Sequence, residues 1–320
     1  MTLRPGLLGA MAIATAVSSS RASAQAPPVF RSAVESVYVD VFVSRGGQPL
    51  PGLDASSFEL KDSGVRQSVE LLAAESRPLR AVLVFDTSSS LMGEQLAALK
   101  AAAEAFLRGL RPADEVALVG FSEEISWLAL TTTDKGALRR ALERLEPAGA
   151  TAAFDALYAA VALMEEGGRS LVVLFTDGED NMSFLGEKQV ATVVARSNAL
   201  VHAVGWRGPQ EVTAPGDVVA AARAGFRGLG WRTAEADLDQ MVALRQIAEA
   251  SGGRFWGADS PERLRRAFAE IADAMSHRYI LRYEPQGVER AGWHRIEVKL
   301  RGHKGDVQAR HGYWVAPGVR

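Results

Sequence analysis

Apolar and polar residues alternate with two different rhythms along this chain. From about Val34 to Ala74 the period is two: Val37, Val39, Val41 and Val43 alternate with Tyr38, Asp40, Phe42 and Ser44. After turns at Gly46-Gly47 and Pro49 to Gly52, the stretches Phe58 to Lys61 and Gln67 to Leu72 read as further strands. The same rhythm returns from Ser276 to Trp314, where Tyr279 to Tyr283, Trp293 to Leu300 and Val307 to Tyr313 are separated by Gly-rich turns. Neither block alone can bury two faces of a sheet. The two are therefore expected to pair into one small antiparallel β-module, with the intervening chain inserted between them.

In that intervening chain, continuous apolar runs alternate with stretches of three- and four-residue spacing. Ala81 to Phe85 is rich in Val and suits a strand buried on both faces of a parallel sheet. An amphipathic stretch from Leu91 to Leu110 follows, then a hairpin of Val116 to Phe121 with Ile125 to Leu130. Helices are predicted at Asp134 to Leu145, Ala153 to Met164, Phe184 to Ser197, Leu238 to Ala250 and Pro261 to Met275. Strands are predicted at Ser170 to Phe175, Leu200 to Val204 and Arg254 to Trp256. This order implies an α/β fold with a doubly wound, mostly parallel sheet and helices on both faces.

The chemistry gathers at the carboxyl ends of two of these strands, where open α/β sheets place their ligands. Asp86 ends the first strand and begins Asp86-Thr-Ser88-Ser-Ser90, three oxygen-bearing side chains at alternate positions. Asp177 follows the strand Ser170 to Phe175 within Thr176-Asp177-Gly178, and Thr151 lies in a small-residue turn before helix Ala153 to Met164. If the two strands are neighbours, Asp86 and Asp177 converge on one crevice. Carboxylates and hydroxyls without Cys or His suit a hard cation, Mg2+, Mn2+ or Ca2+, rather than zinc. The plainer alternative is that Ser88 to Ser90 cap the following helix.

The set Asp86-Thr-Ser88-Ser-Ser90, Gly149-Ala-Thr151-Ala-Ala-Phe-Asp155 and Thr176-Asp177-Gly178 resembles the three loops of the metal-ion-dependent adhesion site of von Willebrand factor type A (VWA) domains, in order and spacing, across about Leu79 to Met275. The flanks resemble those of bacterial exported proteins called VWFA-related: Phe58-Glu-Leu, Ser251-Gly-Gly253, Arg278-Tyr279 and His311-Gly-Tyr-Trp-Val-Ala-Pro317. The resemblance implies that Ser88, Ser90 and Thr151 hold a divalent cation, Mg2+ first among the candidates, directly or in part through water. Asp86 and Asp177 would stand in its first or second shell, and a Glu or Asp carboxylate of a partner protein would complete the sphere. Asp155 is expected to support the site from behind. Ser89 and Leu91 replace the Gly and Met common in the family, and Ala150 replaces a second glycine. These departures bear on loop geometry and affinity, while all five coordinating types remain.

Composition narrows the function classes. Met1 to Ala24 has an early Arg, an apolar stretch from Leu7 to Val17 and Ala22-Ser23-Ala24, the layout of a cleaved secretory signal peptide. Export to the periplasm or beyond the cell is therefore expected. Its removal takes away Arg4 and Arg21 and no acid, moving the formal charge from −2 to −4. That leaves no basic field for nucleic acid. No later apolar run approaches membrane-spanning length. The absence of Cys excludes disulfides, thiolate metal sites and lipoprotein acylation. The chain then divides into a signal peptide at 1–24, an N-terminal β segment at 25–76, the VWA domain at 77–275 and a C-terminal β segment at 276–320 that pairs with 34–74.

Two further features bear on partners. The Gly- and Pro-punctuated stretch Trp206 to Asp237 offers Trp206, Phe226 and Trp231 either as partner contacts or as residues packing the loop onto its own domain. The last helix runs straight into Tyr279 to Tyr283, as a rigid connector or as a means of transmitting site occupancy to the β-module. The five histidines form no close pair at zinc-ligand spacing, and His202 within a strand reads as a packed residue. No nucleophile elbow or phosphate-binding loop is present. The expected function is non-enzymatic: an exported interaction or adhesion module that grips an acidic group of another protein through its cation. The alternatives are a scaffold that binds through its β-module and the 206–237 loop and, more remotely, a Mg2+-dependent phosphotransfer enzyme using Asp86.

Overall fold

The computed structural model describes residues 36–73, 77–164, 169–177, 180–206, 234–289 and 291–316. The predicted leader, Gly178, and Phe226 and Trp231 of the long loop lie outside the described residues.

The inserted domain is built on a sheet of six strands. Its centre is β6 (Leu79–Asp86) and β9 (Arg169–Thr176), flanked by β7 (Glu115–Phe121) and β8 (Ile125–Thr132) on one side and by β10 (Leu200–Trp206) and β11 (Phe255–Ala258) on the other. All neighbours run parallel except β8, which returns antiparallel against β7. The unbroken apolar run of β6 follows from burial on both sides. Ala81, Leu83 and Phe85 enter one core, and Val82 and Val84 enter the other. On the first face lie α1 (Glu94–Gly109), α2 (Lys135–Glu143) and α6 (Pro261–Ser276), with Phe268 stacked on Phe85 at 6.4 Å. On the second lie α3 (Ala153–Ala162), α4 (Glu187–Arg196) and α5 (Ala234–Ala250). This is the doubly wound arrangement expected from the alternation.

Helix boundaries differ from the periodicity where side chains serve something else. Helix α1 begins at Glu94 rather than Leu91, because Leu91 is fully buried and Gly93 adopts φ +63°, which keep Ser88 to Gly93 a turn. Helix α4 begins at Glu187 rather than Phe184, and helix α5 starts earlier than expected, at Ala234. Among the described residues no helix is long and apolar enough to cross a membrane.

The flanks pair as expected, as two antiparallel sheets sharing one core. One sheet orders β14 (Asp306–Gln308), β1 (Val37–Arg45), β12 (Tyr279–Tyr283) and β5 (Glu70–Leu72), with β2 (Gln48–Pro49) beside β1. The other orders β15 (Gly312–Val315), β13 (Gly292–Leu300), β3 (Phe58–Asp62) and β4 (Val65–Gln67). Two predicted strands are corrected. Gln67 to Leu72 splits into β4 and β5, and Val307 to Tyr313 splits into β14 and β15, each pair divided between the two sheets. A strand that crosses from one sheet to the other must bend, and hydropathy alone does not register the bend. Within the core Asp62 is fully buried and accepts hydrogen bonds from the Tyr283 and Tyr313 hydroxyls at 2.9 and 2.7 Å, with His294 Nδ1 3.0 Å from its other oxygen. Burial and the neighbouring carboxylate hold both phenols above their ordinary range.

The flank residues Ser251-Gly-Gly253, Arg278 and His311 all lie where the β-module meets the α/β domain. Arg278, almost fully buried, donates to the Asp40 carboxylate of β1 and to Gly252 O, and Arg169 at the start of β9 donates to Met275 O at the end of α6 at 2.5 Å. Ser251 Oγ accepts the Val201 N–H at 2.9 Å, and His311 N–H donates to Ala250 O at 3.1 Å. His202, as expected of a packed histidine, is buried with Nδ1 accepting the Arg254 N–H at 2.9 Å and its ring edge-on to Trp256. A Cβ on Gly253 would stand 1.8 Å from Val201 O, whereas one on Gly257 meets nothing within 4 Å. Gly253→Ala is expected to lower stability by about 1–3 kcal/mol or more, and Gly257→Ala to change it by less than about 0.5 kcal/mol. Denaturant unfolding of the two variants, with equal midpoints as the contrary result, checks this difference.

Candidate metal centre

Asp86 occupies the last position of β6, beside β9, whose last residue Thr176 is followed directly by Asp177. The parallel register that pairs Phe85 with Phe175 brings the two carboxylates to the same sheet end. Asp86 is fully buried; Oδ1 accepts the Ser88 N–H at 2.9 Å, closing a tight turn, and Oδ2 accepts the Thr176 hydroxyl at 2.8 Å. Ser88 Oγ lies 2.8 Å from Ser90 Oγ, and Ser90 Oγ donates a very short hydrogen bond to Asp177. Four of the five predicted site residues, Asp86, Ser88, Ser90 and Asp177, thus form one connected set. Burial is graded across it, from Asp86 and Ser88 inside through half-buried Asp177 to exposed Ser90.

The loop that carries Thr151 is bonded to the serine loop through Ala148 and Gly149. Gly149, at φ +81°, turns its carbonyl to accept both the N–H and the hydroxyl of Ser89, at 3.0 and 3.1 Å. Ala148 N–H donates to Thr87 O at 2.7 Å. Thr151 itself is buried, its N–H donating to Asn181 Oδ1 at 3.0 Å and its carbonyl accepting from the N–H groups of Asn181 and Met182. Ala152, the N-cap residue of α3, offers no side-chain oxygen, so the exposed donors of that helix end are met from across the site. Phe154 N–H donates to Asp180 Oδ2 at 3.0 Å and Asp155 N–H to Ser183 Oγ at 3.1 Å.

Several residues of this support were not assigned from sequence. Asp180 is buried and serves α3 as an external cap, with its backbone held by Gln240 in a reciprocal pair at 2.9 Å. Gln240 comes from α5, sixty residues away, and no local signal points to it. Asp155 takes the supporting position expected, accepting the Phe184 and Leu185 N–H groups at 2.9 Å each. Trp206 is 4% exposed and packs in the core of its own domain, so it is not a surface contact. With the Gln95 amide oxygen turned toward it, the indole N–H donates at 2.9 Å while the amide nitrogen donates to Ser90 O at 2.8 Å.

The electrostatics suit a cation. Burial raises the Asp86 carboxyl to about 7, with the Asp177 charge adding to the shift, and the hydrogen bonds from Ser88 and Thr176 recover only part of it. A divalent ion held by this pair would remove both penalties at once. The donors are all oxygen, as Mg2+, Mn2+ or Ca2+ require. Among the described residues no three His, Cys, Asp or Glu side chains form a group that could hold a metal ion, so a cation here would depend on the hydroxyls beside the two carboxylates.

The family model of the von Willebrand factor type A domain matches residues 81–179, which span both aspartates and the Thr151 loop. A UPF0353 protein of Mycobacterium leprae (strain Br4923) is 24% identical over 232 residues, covering 68% of this chain and 65% of the relative, so the chain spans about two thirds of the curated relatives it matches. Among solved structures, a von Willebrand factor type A protein from Catenulispora acidiphila superposes with a TM-score of 0.50 at 14% identity, over 83% of this chain and 75% of that one. BatB from Bacteroides thetaiotaomicron gives 0.46 at 18% identity, over 61% and 98%. The protein therefore belongs to the doubly wound α/β class with a loop site at the sheet's carboxyl end. Its residues 81–179 are similar to the von Willebrand factor type A domain, and this α/β domain is set within an antiparallel β-module.

Because the Asp86 pKa is higher in the folded protein than in the unfolded chain, the folded state holds the extra proton between about pH 4 and 7. In chelator, stability should therefore fall as pH rises through that window, by on the order of a few kcal/mol. Thermal unfolding between pH 5 and 8 should show the wild type losing stability relative to Asp86→Asn as pH rises; equal slopes for the two would contradict it.

Proposed function

We propose that this protein is an exported interaction module that binds a divalent cation, Mg2+ first among the candidates, through Asp86, Ser88, Ser90, Thr151 and Asp177, and through it captures a Glu or Asp carboxylate of a partner protein. The observation that carries the proposal is the connected oxygen set from Asp86 to Asp177, buried at its base and exposed at Ser90. Two acidic side chains and three hydroxyls leave a divalent ion short of a full shell of strong donors, so it remains able to recruit an anionic oxygen from outside. The VWA match supports the interaction role, since these domains serve mostly as non-catalytic interaction modules. The leader-like residues 1–24 support export.

Calorimetric titration of the metal-stripped protein with Mg2+, Mn2+ and Ca2+, beside Asp86→Ala and Thr151→Ala, tests the reading. One saturable site in the wild type, lost in Asp86→Ala and weakened at least tenfold in Thr151→Ala, is the expected result. A pull-down of acidic partners should fail in chelator. Capture unchanged in chelator and in Asp86→Ala would shift the function to the β-module.

A further inference from the structure

Phe184 is 98% exposed, the most exposed large apolar side chain among the described residues. An exposed ring at a loose loop tip would carry little meaning, but the backbone beneath this one is pinned. Its N–H donates to Asp155 Oδ2 and the next N–H, from Leu185, to Asp155 Oδ1, at 2.9 Å each. Ser183 just before it donates to Asp180 through both its N–H and its hydroxyl, at 3.1 and 2.7 Å. A side chain on a pinned backbone costs little further backbone freedom when a partner covers it, which is the property of an interface anchor.

The segment that carries the ring is tied to the loops of the candidate cation site. The segment that carries it brackets Thr151 through Asn181 and Met182 and then runs along the first turn of α3 to Asp155. Met182 in the same segment is 48% exposed, and Met92, two residues beyond Ser90 on the serine loop, is 64% exposed. Exposed apolar side chains therefore sit on two of the loops that hold the oxygen set. Of the nearby acids, Asp180 is buried and the Asp155 carboxylate is taken up by backbone N–H groups, while Glu123 and Glu124 stand exposed by the Gly149 turn.

These charges define the partner. Asp86 and Asp177 nearly balance a divalent ion, so one further carboxylate completes the site, and a second acid would face Glu123 and Glu124 without compensation. We propose that Phe184 is the specificity-determining contact of this site, taking a bulky aliphatic or aromatic residue that lies beside the single acidic residue of the partner, with Met182 and Met92 widening the apolar collar. The proposal rests on the cation-dependent capture described above.

The test uses two synthetic octapeptides of Gly and Ser with one central Glu, one of them carrying Leu residues on both sides of the Glu. Their binding to the full chain is measured by fluorescence anisotropy in saturating Mg2+ and in chelator, for the wild type and Phe184→Ser. The wild type should bind the Leu-flanked peptide roughly tenfold tighter than the plain one, the effect of burying part of an apolar side chain. In Phe184→Ser that ratio should fall close to one while calorimetric Mg2+ binding persists. An unchanged ratio in Phe184→Ser, or equal affinities of the wild type for the two peptides, overturns the assignment of Phe184 alone. Failure of the wild type to bind either peptide in a Mg2+-dependent manner overturns the capture reading, and the role of Phe184 with it.

Discussion

Enclosing the Asp86 carboxylate at the end of a strand buried on both faces is the constraint around which the domain is arranged. Such a group loses its hydration and faces a second carboxylate, and its pKa rises to about 7 in consequence. Each loop of the site answers part of that cost. The serine turn supplies the Ser88 N–H, β9 supplies the Thr176 hydroxyl, and the Gly149 turn locks the serine loop from above. On the proposed reading the residual negative charge attracts a hard cation, so the feature that destabilises the metal-free fold would also be the one that prepares it for an ion.

Support for the crevice extends well beyond the loops that line it. Asp180 and Ser183 cap α3 from outside, Gln240 holds Asp180, and Asp155 fixes the segment carrying Phe184. Side chains that orient a site from behind commonly matter nearly as much as those that face the ligand. At the other end of β9, Arg169 grips the end of α6, while Arg278 just beyond that helix engages Asp40 of the β-module. One strand thus has the oxygen set at its carboxyl end and the joint with the β-module at its amino end. The glycines and serine of Ser251-Gly-Gly253 belong to that joint through close backbone approach.

Much of this was legible in the residues. The unbroken apolar runs of β6 and β9 announce strands buried on both faces, and an aspartate closing or following each places the chemistry at the sheet's carboxyl end. The β flanks were legible as strands, but the sheets they join were not. Hydropathy treats Gln67 to Leu72 as one run, whereas the chain leaves one sheet and enters the other between Gln67 and Glu70. The start of α1 was misplaced for a similar reason: Leu91 has the right period for a helix face, yet it anchors a turn in the core.

Local order along the chain was enough to place most of the elements and the doubly wound class, and to nominate the five oxygen-bearing residues of the candidate site, because period and residue type are properties of neighbours in sequence. Tertiary structure alone decided that Asp180 faces inward as a cap, that Gln240 reaches it, that Trp206 is core, and that Phe184 stands clear of the surface. Those outcomes depend on which elements pack together across tens of residues, and an aspartate or an aromatic side chain carries no local mark of whether its neighbour will be water or another strand.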